Sequence, residues 1–469
     1  MTTRFPCRME VTAHELARHA GAGPRYTSYP PATQFSSDFG AADARAHFAA
    51  LERAPQDEPL AVYVHVPFCS ELCWYCGCNV TVTRARDRGT EFVRTLSDEI
   101  EQAAGGLGAR KRVVDIALGG GSPNFLRPVD LVSVVGAINR WFAVDRDAEM
   151  SIELDARDTP DALIDVIAEL GFNRLSLGVQ DFHPEVQQAI HREQSVGQTR
   201  GVIEHARKRG ISRVNVDLVY GLPLQTTERL VHTVDEVVDL RPNRVALFGY
   251  AHLPHLRPHQ KLVERAGPIP GIAERAELLS AAMARLDAAG YVRVGLDHYV
   301  LPDDELLAAA ASGDLHRNFQ GYVVQRAEHL LGFGPSAISD VAGAYWQNDP
   351  DVAGWSNRVT AGVLPVARGV RLEADDFVRG FVIDRLMCDG EIGFDAFEDR
   401  FGVDFAEYFA AELAQLASGT LAELVDIDLA GGRLVATPLG CHFIRSVCMV
   451  FDAYRAPDGG DPPKASPTI

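Results

Sequence analysis

The sequence has 469 residues, is 46% hydrophobic and carries 64 acidic against 45 basic side chains, a formal net charge of −19. That composition supplies a sizeable core and room for two or three domains, and it argues against disorder over most of the chain. It also argues against nucleic acid as the main partner, because phosphate neutralisation calls for a basic surface. No apolar run approaches the roughly 20 residues that span a bilayer. The polar start MTTRFPCRMEVTAHELARHAGAG does not read as a secretory signal. The expected location is the cytoplasm, with no membrane partner. In a reducing compartment, clustered cysteines point to metal binding rather than to disulfides.

Residues 1–55 hold one helical pattern and the irregular segment GAGPRYTSYPPATQF, an arm expected to be pinned by its prolines, glycines and tyrosines. From Leu60 onward, short β-branched or apolar runs alternate with amphipathic helical stretches such as EFVRTLSDEIEQAA and VDLVSVVGAINRWF. The runs are LAVYVHV (60–66), VVDIALGG (113–120), EMSIELD (149–155), RLSLGVQ (174–180), RVNVDLVYG (213–221) and RVALFGY (244–250). Alternation predicts an α/β fold with parallel strands and right-handed crossovers. Six units predict a partial (β/α)6 barrel, TIM-like but short of a closed eight, with a wide lateral opening and a domain over 56–345. A seventh run, YVRVGLDHYV (291–300), extends the sheet. Informative residues gather at the carboxyl ends of these strands: Gly119–Gly121, Glu153, Gln180, Asp217 and 250–254. Barrel chemistry is built there. Any one of them alone reads as a turn or cap residue; it is their coincidence that points to a site.

Residues 346–455 read as a mainly helical, winged-helix-like domain. DDFVRGFVIDRLM and VDFAEYFAAELAQLA form amphipathic helices, the second with Phe405, Tyr408, Phe409, Leu413 and Leu416 on one face. VDIDLAGGRLVAT forms a hairpin around Gly431-Gly432, and TPLGCHFIRSVCMVF opens a helix with Thr437 at the cap. Winged helices often bind DNA, but the acidic balance favours a packing or lid role. The tail 456–469, rich in Pro, Gly and Asp, is expected to be disordered.

The densest chemical signal is VPFCSELCWYCGCN, where Cys69, Cys73, Cys76 and Cys78 follow C-x3-C-x2-C-x-C. A structural zinc site takes ligand pairs from separate segments, and no second C-x2-C lies elsewhere in the chain. A [4Fe–4S] cluster uses one thiolate per iron, so three close cysteines hold three irons and leave the fourth open. The remaining Cys7, Cys388, Cys441 and Cys448 are scattered and read as small buried hydrophobes.

The C-x3-C-x2-C spacing resembles the signature of the radical S-adenosylmethionine superfamily, and Gly119–Gly121 in IALGGGSPNFL resembles its methionine-binding element. A closer resemblance covers about residues 20–455. GPRYTSYP, YVHVPFC, CGCN, GFNRLSLGVQDF, HREQ, VDLVYGLP, YAHLP, HRNFQGY and RSVCM are similar to stretches of the oxygen-independent coproporphyrinogen III oxidases (coproporphyrinogen dehydrogenases).

That resemblance implies an enzyme that converts two propionates of coproporphyrinogen III to vinyl groups without oxygen, giving protoporphyrinogen IX. It implies a [4Fe–4S] cluster on Cys69, Cys73 and Cys76, and two S-adenosylmethionine molecules per active site. Tyr63, Gly120, Glu153 and Ile338 match positions contacting the first, and Tyr75, Gly121, Ser122, Gln180, Arg192, Asp217 and Ala251 match positions contacting the second. The residue types suit the ligand: Glu153 and Asp217 accept from hydroxyl or ammonium groups, Gln180 does either, and Arg192 pairs with a carboxylate. On the residues alone, Tyr75 also reads as a ring packed over the loop, and Arg192 as a surface ion pair. Cys78 matches a position important for activity and is expected near the site as a free thiol, or as a residue that shapes the loop. Arg25 in the arm and Arg317 in HRNFQGY are candidates for the substrate carboxylates, with the arm draped over the barrel mouth. Implied partners are coproporphyrinogen III, a reductant protein such as flavodoxin or ferredoxin, and an electron acceptor; the resemblance suggests a monomer.

Two departures stand out: Ala156 where proline is expected, and LDHYVLPDDEL (296–306) in place of an expected MDHF motif. The rival readings are a haem-binding trafficking or chaperone relative, a radical enzyme acting on RNA, and a structural iron–sulfur or zinc protein. The first is expected to lack the C-x-C extension, the PRYTSYP arm and HRNFQGY, all present here. The second is expected to carry a basic domain, and the third leaves the strand-end polar residues without a purpose.

Overall fold

The six apolar runs become six parallel strands: β1 (Leu60–Val66), β2 (Arg112–Gly120), β3 (Ala143–Leu154), β4 (Arg174–Gln180), β5 (Arg213–Tyr220) and β6 (Arg244–Gly249). They lie side by side in chain order. The computed structural model describes residues 11–53, 58–107, 111–324, 327–455 and 466–467. The crossovers are helices α1 (Asp87–Gly106), α2 (Pro128–Trp141), α3 (Asp161–Glu169), α4 (Val196–Lys208) and α5 (Thr227–Leu240), with the short helix Pro184–Ala189 ahead of α4. Successive residues of a strand point to opposite faces. Val62, Val64, Leu118, Ile152, Leu175, Val214, Val216 and Val245 are buried beneath the helices in one continuous core. The alternate positions, among them Glu153, Ser176, Gly178 and Asp217, line the inner face. Helices on one face and an inner cavity on the other give the expected partial (β/α)6 barrel.

The run 291–300 does extend the sheet, but as an antiparallel hairpin. Helix α6 (Ile272–Ala288) leads into β7 (Val292–Val294), and β8 (His298–Val300) turns back to pair antiparallel with β6, His298 opposite Ala246. Only three residues separate the two strands, too few for the crossover that a parallel neighbour requires. β8 is therefore inserted between β6 and β7.

The other edge corrects the expected boundary at 345. β9 (His329–Phe333) adds parallel to β1, and β10 (Ile338–Val341), β11 (Ala344–Asn348) and β12 (Val366–Arg371) continue antiparallel. The barrel sheet thus runs on to Arg371. These strands have four to six residues and glycine-containing turns between them, which leaves little periodicity to read. Among the described residues, β7 and β12 end the sheet without pairing to each other.

Beyond the sheet, α7 (Ala374–Asp389) is followed by a three-stranded antiparallel sheet of Glu391–Gly393, Arg433–Ala436 and Val425–Asp428, the last two forming the expected hairpin. The stretch 403–417 is two helices, Phe405–Tyr408 and Ala410–Leu416, broken at Phe409. Phe405, Phe409, Leu413 and Leu416 are buried as expected, whereas Tyr408 lies at the surface and donates to Asp375 Oδ1 at 2.6 Å. Thr437 Oγ1 does cap the next turn, accepting from Gly440 N at 3.0 Å. That turn is 3-10 (Gly440–Phe443) before it becomes helix Ile444–Cys448. Cys388, Cys441 and Cys448 are fully buried, and Cys7 lies outside the described residues. Of the tail, Ser466–Pro467 pairs with Ala22–Gly23, against the expected disorder, and the rest lies outside the described residues.

The arm is pinned, as its composition suggested. Tyr26 Oη donates to Asp452 Oδ2 at 2.9 Å, Tyr29 Oη accepts from Ala453 N at 3.0 Å, and Arg445 Nε donates to Pro24 O at 2.9 Å. All three partners lie in the C-terminal region.

One buried acid ties helix α1 to the closing strands. The Glu99 carboxylate, 2% exposed, accepts from Gly334 N (2.8 Å), Asn348 Nδ2 (2.6 Å) and Trp355 Nε1 (2.9 Å), and burial raises its pKa to about 7. Removing it strands three buried donors. Glu99→Ala is expected to cost about 3 kcal/mol in denaturant titration, and Glu99→Gln, which keeps an acceptor, clearly less.

Candidate active site

The loop after β1 carries the four clustered cysteines, and its backbone is held from several sides. Its ends pair as the two-residue strands Phe68–Cys69 and Thr81–Val82. His65 Nε2 bonds to Asn79 O at 2.9 Å. Trp74 N donates to Ile190 O at 2.9 Å, and its ring stacks on His191 at 5.0 Å. From beyond β6, Arg257 Nε reaches Gly77 O (2.9 Å), His259 Nε2 reaches Cys76 O (2.8 Å) and Gln260 Nε2 reaches Tyr75 O (2.8 Å). Groups from β1 and from the segments after β4 and β6 thus hold the backbone that presents the sulfurs.

Polar groups meet those sulfurs. Cys73 Sγ accepts from Arg157 Nη2 at 3.5 Å and Arg192 Nη1 at 3.6 Å, Cys76 Sγ accepts from Cys78 N at 3.4 Å, and Cys69 Sγ lies 3.6 Å from Ser122 Oγ. Hydrogen bonding from Cys78 lowers the Cys76 thiol to about 7, whereas burial raises Cys69 to about 11.

These groups open onto one cavity of about 570 Å³. Of the residues singled out in the sequence, Cys69, Cys73, Tyr75, Cys76, Cys78, Gly120, Gly121, Ser122, Glu153, Gln180, Arg192 and Asp217 line it together. They come from the ends of β1 to β5, spread over some 150 residues of chain.

Glycines shape the wall. A Cβ at Gly119 would lie 2.7 Å from the Glu153 carboxylate, and one at Gly121 would lie 2.6 Å from Phe68 O. Gly120 adopts φ +104°, a region L side chains avoid. Gly121 N donates to Val66 O and Ser122 N to Phe68 O, each at 2.8 Å.

The charges are partitioned. Glu153 faces the cavity near Asp217 and accepts from Gly120 N at 3.1 Å; desolvation within the cavity first, then the Asp217 charge, raises its pKa to about 7. Burial raises Asp217 as well, although Asn215 Nδ2 donates to it at 2.8 Å. Across the cavity Arg192, 6% exposed, pairs with Asp155 at 3.1 Å, so the surface ion-pair reading does not hold. Its Nη2 donates to Gly178 O and Gln194 Oε1, and its buried Nε has no partner. Against the upward push of burial, Arg192 and Arg157 hold Asp155 at about 2. Gln180 takes φ +70°, a strained state for a non-glycine residue that tends to mark functional sites.

The remaining candidates flank this cavity or lie apart from it. Tyr63 lies within electrostatic reach of Glu153 and Cys78, and it pairs across the sheet with Gly332, against whose backbone Ile338 packs. Ala251 O accepts from Gln260 Nε2 at 3.2 Å, the same amide that holds Tyr75. Arg25 and Arg317 do not line this cavity. Arg317 Nε donates to Arg25 O at 3.3 Å, in the seam between β8, the hairpin 315–324 and the C-terminal region. Sequence reasoning missed Asp155 and Arg157. Their signal was the strand-end string ELDARD, in which the departure at Ala156 had drawn the attention. It also missed His298, which lies near Asp217 and bonds through Nδ1 to Asp297 Oδ1 at 2.8 Å.

Residues 63–237 match the model of the radical SAM superfamily, and residues 372–443 match the HemN C-terminal domain. The oxygen-independent coproporphyrinogen III oxidase of Salmonella typhimurium is 41% identical over 439 residues, 94% of each chain. That of Escherichia coli K12 is 40% identical over the same share, and that of Synechocystis is 36% identical over 463 residues, 97% of each chain. The solved coproporphyrinogen III oxidase (HemN) from Escherichia coli, described as a radical SAM enzyme, superposes with a TM-score of 0.87 at 38% identity, covering 92% of this chain and 98% of that one. The chain belongs to the oxygen-independent coproporphyrinogen III oxidase family.

It is accordingly a radical SAM oxidoreductase, and membership implies a [4Fe–4S] cluster and S-adenosylmethionine. The HemN C-terminal match begins at residue 372, directly after β12. The donor set fits these groups. Among the described residues, no three His, Cys, Asp or Glu side chains converge tightly enough for a single ion. The three thiols of the C-x3-C-x2-C stretch instead border a wider space, as a cluster with one thiolate per iron requires. A zwitterionic ligand beside it meets cations at Arg157 and Arg192 and acids at Glu153 and Asp217.

Glu153 faces the solvent of the open cavity, and its charge beside Asp217 costs stability. Its pKa rises from 4.5 to about 7 in the fold, so the folded state binds the extra proton and stability falls as pH rises through that window. Glu153→Gln removes this cost. Solvent screening at this exposed carboxylate keeps the gain small: the ligand-free variant is expected to exceed wild type by less than about 1 kcal/mol at pH 8 and by almost nothing at pH 4, in denaturant melts at both values, while adenosylmethionine binding weakens.

Proposed function

We propose that this enzyme carries out the oxygen-independent oxidative decarboxylation of two propionates of coproporphyrinogen III, giving the two vinyl groups of protoporphyrinogen IX. The observation that carries this reading is the assembly of twelve sequence-selected residues, from five strand ends, around one cavity, in a chain about 40% identical to relatives named for this activity. When bound, the cluster held by Cys69, Cys73 and Cys76 and the adenosylmethionine beside it would supply one-electron radical chemistry for oxidising the propionate β-carbon, with loss of CO2 and one electron passed to an acceptor.

The protein's own residues bind and orient. Cys69, Cys73 and Cys76 hold the cluster, with Arg157 and Arg192 donating to the Cys73 sulfur. Tyr63, Gly120, Glu153 and Ile338 hold one adenosylmethionine, and Glu153 accepts from its ammonium or ribose hydroxyls. Tyr75, Gly121, Ser122, Gln180, Arg192, Asp217 and Ala251 hold a second beside it. Arg192 offers the ligand carboxylate its buried Nε–H. A reductant such as flavodoxin or ferredoxin supplies electrons, and the enzyme works as a cytoplasmic monomer.

Cys78 is the active-site thiol of this reading. Its backbone N–H is spent on Cys76 Sγ, and its side chain lines the cavity within electrostatic reach of Glu153. The test is anaerobic: reconstituted protein, a strong reductant, adenosylmethionine, coproporphyrinogen III and an acceptor, with porphyrins resolved after oxidation. Protoporphyrin that forms with adenosylmethionine and not without it is the expected result. Adenosylmethionine cleavage without protoporphyrin moves the substrate elsewhere, and tight haem binding with neither favours a trafficking role. Cys78→Ser is expected to keep the visible absorbance of the cluster and lower turnover at least tenfold, about 1.4 kcal/mol of barrier. Loss of that absorbance instead makes Cys78 a ligand.

A further inference from the structure

A second polar cluster lies outside the cysteine cavity, and the proposed reaction gives it no role. Four guanidiniums converge there from distant parts of the chain: Arg25 of the arm, Arg293 of β7, Arg317 of the hairpin 315–324, and Arg445 of the C-terminal helix Ile444–Cys448. Arg25, Arg293 and Arg445 line a small cavity of about 50 Å³ together with Asp297, a space several times the minimum for a water. Arg317 adjoins it through Asp297, which it meets at 3.5 Å.

Backbone carbonyls aim the guanidiniums. Arg445 Nε donates to Pro24 O at 2.9 Å, and its Nη2 to Gly23 O. Arg293 Nη2 donates to Leu296 O at 2.9 Å, Arg317 Nε to Arg25 O at 3.3 Å, and Arg25 Nη2 to Gly249 O at 3.5 Å. A carbonyl orients a guanidinium without cancelling its charge. The crowding registers on the group itself: burial, then the charges of Arg25 and Arg317, lower Arg445 to about 10. Nη1 of Arg317 is buried without a hydrogen-bond partner, on a side chain only 3% exposed. Leaving such a donor unpaired is costly, and an anionic ligand would satisfy it.

The cluster belongs to the same inner wall as the cysteine cavity. Asp217, Ala246 and His298 lie opposite one another across β5, β6 and β8, two strand spacings or about 10 Å in all. Phe248 is two residues along β6 from Ala246, hence on the same face, and the Arg25 guanidinium lies over its ring at 5.9 Å.

We propose that Arg25, Arg293, Arg317 and Arg445 form a carboxylate-binding site that holds a propionate of the tetrapyrrole other than the one reacting over the cysteine cavity. This rests on the substrate reading above. Guanidinium is the side chain suited to a carboxylate, which it meets through a two-pronged fork. The C-terminal region takes part directly, through Arg445.

The site is tested by fluorescence titration with coproporphyrin III, a stable tetracarboxylate, and with its tetramethyl ester. The proteins are the full-length reconstituted wild type, Arg293→Gln and Arg445→Lys; the lysine keeps charge and carbonyl bonding but loses the fork. Wild type is expected to prefer the acid over the ester at least tenfold, and both variants to lose most of that preference with the cluster absorbance and melting temperature retained. In turnover, KM for coproporphyrinogen III rises at least tenfold while kcat changes by less than about threefold. A wild type that turns over, with variants keeping its KM and its acid preference, overturns the site alone and leaves the arginines as staples between arm and barrel. A wild type that binds acid and ester alike also overturns the site. A wild type that yields no protoporphyrin overturns the substrate reading, and the site with it.

Discussion

The backbone of Gly119–Gly121 lies against that of Val66–Phe68 with no space for a Cβ at Gly119 or Gly121, and the rest of the site is referenced to that contact. Two hydrogen bonds close it, Gly121 N to Val66 O and Ser122 N to Phe68 O. It fixes the start of the cysteine loop against the end of β2. Through Gly120 N it also fixes the carboxylate of Glu153 at the end of β3. Three neighbouring strand ends thereby share one rigid corner. A side chain at Gly119 would displace Glu153, and one at Gly121 would displace the backbone that presents Cys69. The glycines serve the protein's own packing first, and that packing leaves bare peptide groups facing the cavity.

Around that corner the charges are sorted by side. Arg157 and Arg192 face the Cys73 sulfur with Asp155 between them, and Glu153 and Asp217 stand opposite. Two carboxylates of raised pKa, Glu153 in part through the charge of Asp217, form an arrangement that destabilises an empty fold and suits a ligand carrying an ammonium and hydroxyl donors. The strained φ of Gln180, at the junction of the two sides, follows the same pattern. The site is built for a ligand with separated charges at a cost in the stability of the fold alone.

The barrel units were legible because each strand is a short run rich in β-branched or apolar residues and each crossover an amphipathic stretch, so LAVYVHV and RLSLGVQ give β1 and β4 with their observed ends. The closing strands β9 to β12 were not, because segments such as ISDV are too short for a period to emerge. The site residues on strand ends could be named because motif and topology agree there. Burial could not be read in the same way. Arg192 fits a surface ion pair as well as a buried one until the fold places it beside Cys73. Arg293 and Arg445 carry no local signal that sets them apart from other arginines. Their meaning comes from segments some 270 and 420 residues away from the arm they meet. The run 403–417 failed for a different reason: one helical face accounted for its apolar residues, but the break at Phe409 turns Tyr408 outward.

A chain of net charge −19 that gathers four guanidiniums in one seam draws them from four separate elements. The C-terminal region resembles a nucleic-acid-binding winged helix in outline, yet the contacts it makes run inward. Asp452 accepts from Tyr26, Ala453 N donates to the Tyr29 hydroxyl, and Arg445 donates to the carbonyls of Gly23 and Pro24. Each of these fixes the arm, and the arm in turn brings Arg25 over Phe248 on the barrel's inner wall. The hairpin 315–324 is tied into the same unit by Tyr322, whose hydroxyl donates to Met387 O at 2.8 Å while its ring lies under Arg317. The C-terminal region thus holds both the arm and the hairpin against the barrel.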